Sequence, residues 1–316
     1  MYRHLLQQEA WGEFQRALGE ETVRLRGEKF EALVIVKRTK MGPYLYVPYG
    51  PALDGGVDGK AQPDAFQEAV RALRKLGESR GAVFVRIEPA AALEASQIAK
   101  SGFLKTKDLN PAETWVLDLR QTREEILHGM EQGTRTRHNQ FSKKGLSVEV
   151  TREPEKIREL VRLQQKLAKE KGIGTFSEKY LKTELEQEFA TLYLVKYENK
   201  IIAASLFFDD TENKTRYYMQ SATDAEYKKL PATVGLLTAA IFDAKEKGME
   251  TFDFWGVAPE GAGEDHPWMG FTKFKRSFGG EERKYAGTWD LPLKPGKYRL
   301  YRGLRKVNRG LRKIKR

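Results

Sequence analysis

The sequence contains no cysteine. That excludes disulfides, thiolate metal sites and cysteine nucleophiles, and it suits a reducing compartment. Histidine is scarce. His4, His128, His138 and His266 show no HxxxH or other ligand spacing, so no metal site is expected. No stretch approaches the ~18 consecutive apolar residues of a membrane span. The first residues lack the apolar core of a signal peptide, so a cytoplasmic protein is expected. A Walker loop, a strand-linked GxGxxG and a nucleophile elbow are also missing.

What is present is a chain of 316 residues, about twice the length of a usual domain. Its 40% hydrophobic content falls in patterned blocks, which is enough for a sizeable core. The net charge of +12 is concentrated at one end: residues 291–316 hold eleven Lys or Arg and no acid. The first 290 residues carry 45 bases against 44 acids. The body is therefore close to neutral and engages polyanions through local patches, not through an overall field.

The order of elements repeats. A helix pattern (Leu5, Leu6, Trp11, Phe14, Leu18) precedes strand-like runs Ala32–Lys37 and Tyr44–Pro48. A Gly-rich loop from Asp54 to Gly59 leads into an amphipathic helix bearing Ala65, Phe66, Ala69, Val70, Leu73 and Leu76. That helix stops near Gly81 and feeds the strand Val83–Ile87. The second half returns strands Leu192–Tyr197, Ile201–Phe208 and Thr215–Gln220. A helix with Val234, Leu237, Ala240, Ile241 and Ala244 then ends at Gly248, before the strand Thr251–Trp255. This self-similarity predicts two copies of one α/β (α+β) module. Its strand–strand–strand–helix–strand order is that of the acetyltransferase-like (GNAT) fold. The expected division is residues 1–143, completed by 288–316, and residues 144–287. Between the copies, Thr122–Arg137 reads as a charged helix with Thr122 and Glu125 as its capping box.

An acetyltransferase that uses coenzyme A places backbone N–H groups of a Gly-rich loop around the pyrophosphate. Here the equivalent stretches read Lys60-Ala61-Gln62-Pro63-Asp64 and Lys228-Lys229-Leu230-Pro231-Ala232-Thr233. Pro231 removes a donor. Tandem GNAT-like modules are expected, with acyl-CoA disfavoured as donor.

The most distinctive segment is Gly270-Phe271-Thr272-Lys273-Phe274-Lys275-Arg276-Ser277-Phe278-Gly279-Gly280, followed by Tyr285–Pro292. By itself it reads as a cationic β-edge that closes a domain. It joins an ordered set: Leu6-Gln7 with Trp11–Gln15, Tyr46–Pro51, Arg86-Ile87-Glu88-Pro89, Tyr217–Ser221 and Phe254–Val257. In this order and spacing the set resembles the Fem family (FemABX) of peptidoglycan interpeptide-bridge aminoacyltransferases, over nearly the whole chain. No stretch accommodates the long helical arm of the larger members, so the resemblance is to the compact FemX-like subtype.

The resemblance implies an aminoacyl-tRNA donor, a peptidoglycan-precursor acceptor (UDP-MurNAc-pentapeptide or lipid II) and no cofactor. It places the Phe274-Lys275 pair at the reaction centre and Glu88 where an acidic residue, usually Asp, follows the last strand of the first module. Gln15 stands where a basic residue is usual, and Thr175 or Phe176 where an Arg is usual. These departures bear on the phosphate contacts, for which Lys37 or Arg86 are the nearby substitutes. Trp11, Tyr180, Tyr217 and Tyr218 are candidates for stacking and phosphate hydrogen bonds. Strand alternation predicts that only one of Tyr217 and Tyr218 faces a cleft.

The chemistry can also be argued directly. An aminoacyl ester is already activated, so an attacking amine needs a fixed cation for the developing oxyanion. Lys275 is the candidate. Glu88 is the candidate to orient the amine or take its proton; the plainer reading is a strand-end carboxylate that caps nearby N–H groups. Competing readings are a GNAT-like N-acyltransferase with an unorthodox acyl donor and a non-catalytic RNA- or membrane-binding protein. In the basic tail Tyr301, Leu304, Val307, Leu311 and Ile314 recur at helical spacing. An amphipathic helix is expected there, its stripe packed on the first module, its bases facing anionic phosphate of a membrane surface or, as the second choice, of tRNA, or both, on a chain expected to be monomeric.

Overall fold

The computed structural model describes residues 1–55, 63–172 and 174–314. The Gly-rich segment beyond Gly55 and the stretch Lys60–Gln62 lie outside the described residues. Contacts divide the chain into Met1–Ala112 with Tyr285–Arg316, and Glu113–Lys284.

The first unit begins with α1 (Glu9–Ala17), β1 (Glu21–Arg26), β2 (Phe30–Lys37), β3 (Tyr44–Val47), β4 (Ala52–Leu53) and α2 (Pro63–Ser79). β5 (Phe84–Ile87), α3 (Ala95–Lys100) and β6 (Leu104–Lys105) follow. The second unit holds β7 (Glu113–Asp118), α4 (Arg123–Gly129), α5 (Gln132–Gln140), β8 (Ser147–Thr151), α6 (Ile157–Lys171) and α7 (Glu178–Leu185). It continues through β9 (Ala190–Tyr197), β10 (Lys200–Asp210), β11 (Thr215–Thr223), α8 (Ala232–Glu246), β12 (Thr251–Gly256), α9 (Met269–Arg276) and β13 (Glu281–Lys284). The chain then returns to the first unit with β14 (Trp289–Pro292) and α10 (Pro295–Ile314).

Each unit is one mixed sheet. In the first the order is β1-β2-β3-β5-β14-β6 with β4 beside β2, and β3 and β5 run parallel. In the second it is β13-β7-β12-β11-β10-β9-β8, and β11 and β12 run parallel. The apolar stripe of α2 supplies Ala65, Phe66, Ala69, Val70 and Leu73 to a core with Val34, Val36, Leu45, Val47, Val85 and Ile87. α8 is apolar around most of its circumference, as a central helix should be. It buries Val234, Leu236, Leu237, Ala240 and Ile241 against β9, β10 and β11. Each buried Val, Leu, Ile or Phe among these contributes roughly 1.5–3 kcal/mol relative to exposure.

The two halves share a chain order: β5, α3, β6, β7 in the first and β12, α9, β13, β14 in the second. Yet β7 pairs with β12 and β13, while β14 pairs with β5 and β6. Each half gives its last strand to the other sheet. This exchange displaces the expected boundary between 143 and 144 to Ala112 and Glu113. A pattern read along the sequence assigns a strand to the half it follows, whereas hydrogen bonding assigns β7 to the half ahead of it.

Two local expectations change. The charged helix starts at the capping box of Thr122 and Glu125 but breaks at Met130 and Glu131 into α4 and α5. The segment around Phe274-Lys275 is helix α9 and not a β-edge. Phe271, Phe274, Lys275 and Phe278 are spaced for one helical face, and glycines follow only at Gly279 and Gly280.

A candidate acyl-transfer site around Lys275

β11 and β12 pair in parallel from Thr215↔Thr251 to Tyr217↔Asp253. Past that point β11 continues against β10, while β12 shifts register against β7 between Asp253 and Gly256. The shift carries Trp255 to φ 63°, the left-handed region that non-glycine residues rarely enter. Buried Asp253 holds it there: Oδ1 accepts from Trp255 N at 2.7 Å and Oδ2 from Thr114 Oγ1 at 3.1 Å. Burial pushes the Asp253 carboxyl up to about 6, opposed by the positive charges of Arg283 and Lys275.

This turn presents the Gly256 carbonyl to Lys275. Nζ donates to that oxygen at 2.6 Å and lies over the rings of Phe271 and Tyr218, at 5.1 and 5.9 Å from their centroids. Lys275 is only 8% exposed, and among the described residues no carboxylate forms an ion pair with it. Burial pushes its ammonium down to about 8, with Asp253 opposing the shift. Lys275, Phe274, Phe271, Tyr218, Ser221 and Trp255 line one cavity of about 600 Å³. The result is a cation with spare donors beside an open, mostly apolar space. Such a group can stabilise a developing oxyanion.

Of the two adjacent tyrosines only Tyr218 lines this cavity, stacked on Phe207 at 5.5 Å. Tyr217 is fully buried, edge-on to Trp255 at 5.7 Å. Tyr180 stacks on Phe176 at 4.8 Å, away from the cavity lining. It also hydrogen-bonds Glu184, whose carboxyl burial pushes up to about 8.

The remaining sequence candidates belong to the first unit. Trp11 packs its ring on Phe14 at 4.9 Å and is 6% exposed. Gln15 is buried, and its Oε1 accepts from Lys37 Nζ at 3.2 Å. Lys37 also donates to Glu20 at 2.9 Å. Arg86 is spent largely within the protein, since Nε and Nη2 both donate to Asp290 at 2.7 Å. Glu88 is enclosed by donors. Oε1 accepts from Thr288 Oγ1 at 2.7 Å and Asn110 N at 3.0 Å, and Oε2 from Tyr46 OH at 2.6 Å and Asn110 Nδ2 at 2.8 Å. Both oxygens of Glu88 are thus engaged within the first unit, the arrangement of a strand-end carboxylate that caps nearby donors.

Sequence reasoning missed Asp253, and it held Trp255 and Ser221 only as members of motifs, without a place in the site. Asp253 reads as an ordinary polar position in an alternating strand, and only its two hydrogen bonds reveal the turn it holds. The lead-in to α8 completes the picture. Tyr227 N, Lys228 N and Leu230 N all donate within local turns, to Asp224, Ala225 and Tyr227 carbonyls, and Pro231 has no N–H. These donors are unavailable to a pyrophosphate. Asp224 adds a buried carboxylate, held by Lys166 at 2.7 Å, at the cavity edge.

Residues 167–306 match the model of the FemAB family. No curated protein matches the sequence. Among solved structures the fold is similar to that of FemX, with 17% identity, a TM-score of 0.79 and 94% of each chain covered. It is also similar to the C-terminal domain (DUF2156) of a putative lysylphosphatidylglycerol synthetase from Agrobacterium fabrum. There the identity is 16%, the TM-score 0.60, and the coverage 92% of this chain and 90% of that one. A tandem GNAT protein from the clavulanic acid biosynthesis pathway aligns at 12% identity and a TM-score of 0.53, covering 84% and 81%. At these identities the likeness to solved structures is one of fold: tandem GNAT-like modules.

Proposed function

We propose that the chain is an acyltransferase of the peptidoglycan-related, aminoacyl-transferring kind whose donor is aminoacyl-tRNA, a reading supported by the match of its residues 167–306 to the FemAB family. The acceptor in this reading is the stem-peptide amine of a peptidoglycan precursor, UDP-MurNAc-pentapeptide or lipid II, as in the compact FemX-like subtype. The observation that carries the reading is Lys275, a largely buried cation whose one hydrogen-bond partner among the described residues is a backbone carbonyl.

The acceptor amine, once deprotonated, attacks the aminoacyl ester carbonyl. A C–N bond forms, and the carbonyl electron pair moves to oxygen. The Lys275 ammonium donates a hydrogen bond to that oxyanion in a site of low dielectric, where such a contact has most effect. Collapse of the intermediate expels the ribose oxygen, which takes up a proton. No covalent enzyme intermediate is needed, because the ester is already activated. Tyr218, Phe271 and Phe274 supply the apolar walls beside which the ester would lie.

The blocked lead-in to α8 favours aminoacyl-tRNA over acyl-CoA. The N–H groups of Tyr227, Lys228 and Leu230 are consumed in turns, Pro231 has none, and Asp224 would oppose a pyrophosphate. The test is purified protein with a pool of charged tRNAs and both precursors, followed by mass spectrometry of the products. RNase treatment should abolish transfer. Transfer that survives RNase and depends on added acetyl-CoA would overturn the reading.

A further inference from the structure

We propose that the first unit carries a separate anion site, built by β5, the chain after β6 and α10, that takes a phosphate group borne on an ester or as a diphosphate. The site is a cavity of about 410 Å³ lined by Arg86, Thr106, Lys107, Tyr301, Arg302 and Arg305. It lies in a different unit from Lys275 and does not depend on the acyl-transfer reading.

Three observations carry it. The first is Arg86, 2% exposed, whose Nε and Nη2 are fixed on Asp290 while Nη1 has no hydrogen-bond partner. A buried guanidinium N–H without an acceptor costs stability unless a ligand supplies one. The second is charge. Asp290 offsets Arg86, but Lys107, Arg302 and Arg305 make no ion pair among the described residues, and no carboxylate lines the cavity. Three uncompensated cations, the Thr106 hydroxyl and the spare guanidinium N–H suit a group with several anionic oxygens better than a monovalent carboxylate. The third is preorganisation. The guanidinium of Arg302 lies over the Tyr298 ring at 5.9 Å, and that of Arg305 over Tyr301 at 5.7 Å. Tyr298 and Tyr301 are themselves packed on Phe84, at 5.3 and 4.9 Å. Tyr298 OH donates to Asp290 at 2.9 Å, so the helix that carries the cations is tied to the ion pair beneath them. The cavity exceeds the volume of one phosphate and leaves room for a second or for the group esterified to it.

The experiment uses the full chain and two probes. Calorimetry with inorganic pyrophosphate reads a free phosphate. Co-sedimentation with phosphatidylglycerol–phosphatidylcholine vesicles, at low and high salt, reads a lipid headgroup. The variants are Lys107→Ala alone and the triple Lys107→Ala/Arg302→Ala/Arg305→Ala. Arg86 is left intact because its ion pair is buried. Binding of at least one probe, salt-sensitive and weakened about tenfold or more in the triple variant with an unchanged melting temperature, supports the site. The probe that binds identifies the source of the phosphate. The proposal fails if neither probe binds, or if binding survives in the triple variant and is lost only when residues 306–316 are removed.

Discussion

Lys275 is held 8% exposed with a single backbone acceptor among the described residues, so its role can be separated from its contribution to folding. Lys275→Ala removes a desolvated charge and leaves one carbonyl without its donor, two effects that partly offset. The expected outcome is a fall in kcat of about 10²-fold or more, with a melting temperature close to that of the parent. A loss of stability on the scale of a core truncation would instead make Lys275 structural. Its ammonium should titrate near pH 8, far below the usual lysine value of about 10.4. The cation is the active form, so kcat should decline as pH rises through about 8. Asp253 opposes the depression. Asp253→Asn therefore moves the Lys275 midpoint lower still, which ¹⁵N spectroscopy of labelled lysine reads directly; an unmoved midpoint would dissociate the two groups.

At the scale of elements, the placement of α9 depends on the chain that leaves it. Gly279 and Gly280 have φ of 81° and 96°, and a Cβ at Gly280 would stand 2.2 Å from the Val116 carbonyl oxygen. That oxygen belongs to β7, which cannot retreat because it is paired on both sides, with β12 and β13. Gly280→Ala should therefore destabilise the second unit by at least about 1–3 kcal/mol, measured by urea denaturation. An unchanged midpoint would show that β13 moves freely relative to β7. Helix α10 tells a related story. Its expected stripe began with Tyr301 and Leu304, but the chain docks through Tyr298 and Tyr301, and Leu304 is 45% exposed. Val307, Leu311 and Ile314 lie outside the residues whose side chains are described. No helix among the described residues is long and apolar enough to cross a membrane.

Across the whole molecule, the strand exchange makes one unit continuous in sequence and the other split. All strands of the second unit lie between Glu113 and Lys284, whereas the first unit needs β14 between β5 and β6. Residues 113–284 should therefore fold alone, with a cooperative thermal transition by circular dichroism. Residues 1–112 should not, because they lack β14 and leave Arg86 buried without Asp290, a loss of about 3–5 kcal/mol on its own. Cooperative folding of 1–112 would mean that β14 is dispensable. The ends of the split unit meet where Tyr285 N donates to Ala112 O at 2.7 Å, which is where the second unit leaves and rejoins the chain.

The amino-acid sequence by itself determined the module order, the buried faces of α2 and α8, the tail's charge and the lack of a pyrophosphate loop. All of these rest on contacts two to four residues apart or on composition, which a linear pattern records. The Phe274-Lys275 pair was reached through resemblance and through the chemistry of an ester donor. Only the tertiary structure decided that the segment is a helix, that Lys275 is largely buried, and that Glu88 is enclosed by donors. Arg86 and Asp290 are 204 residues apart in the chain, and β7 pairs with strands that follow it by more than a hundred residues. Burial and strand pairing of that kind are set by the packing of distant segments against one another, and no local periodicity encodes them.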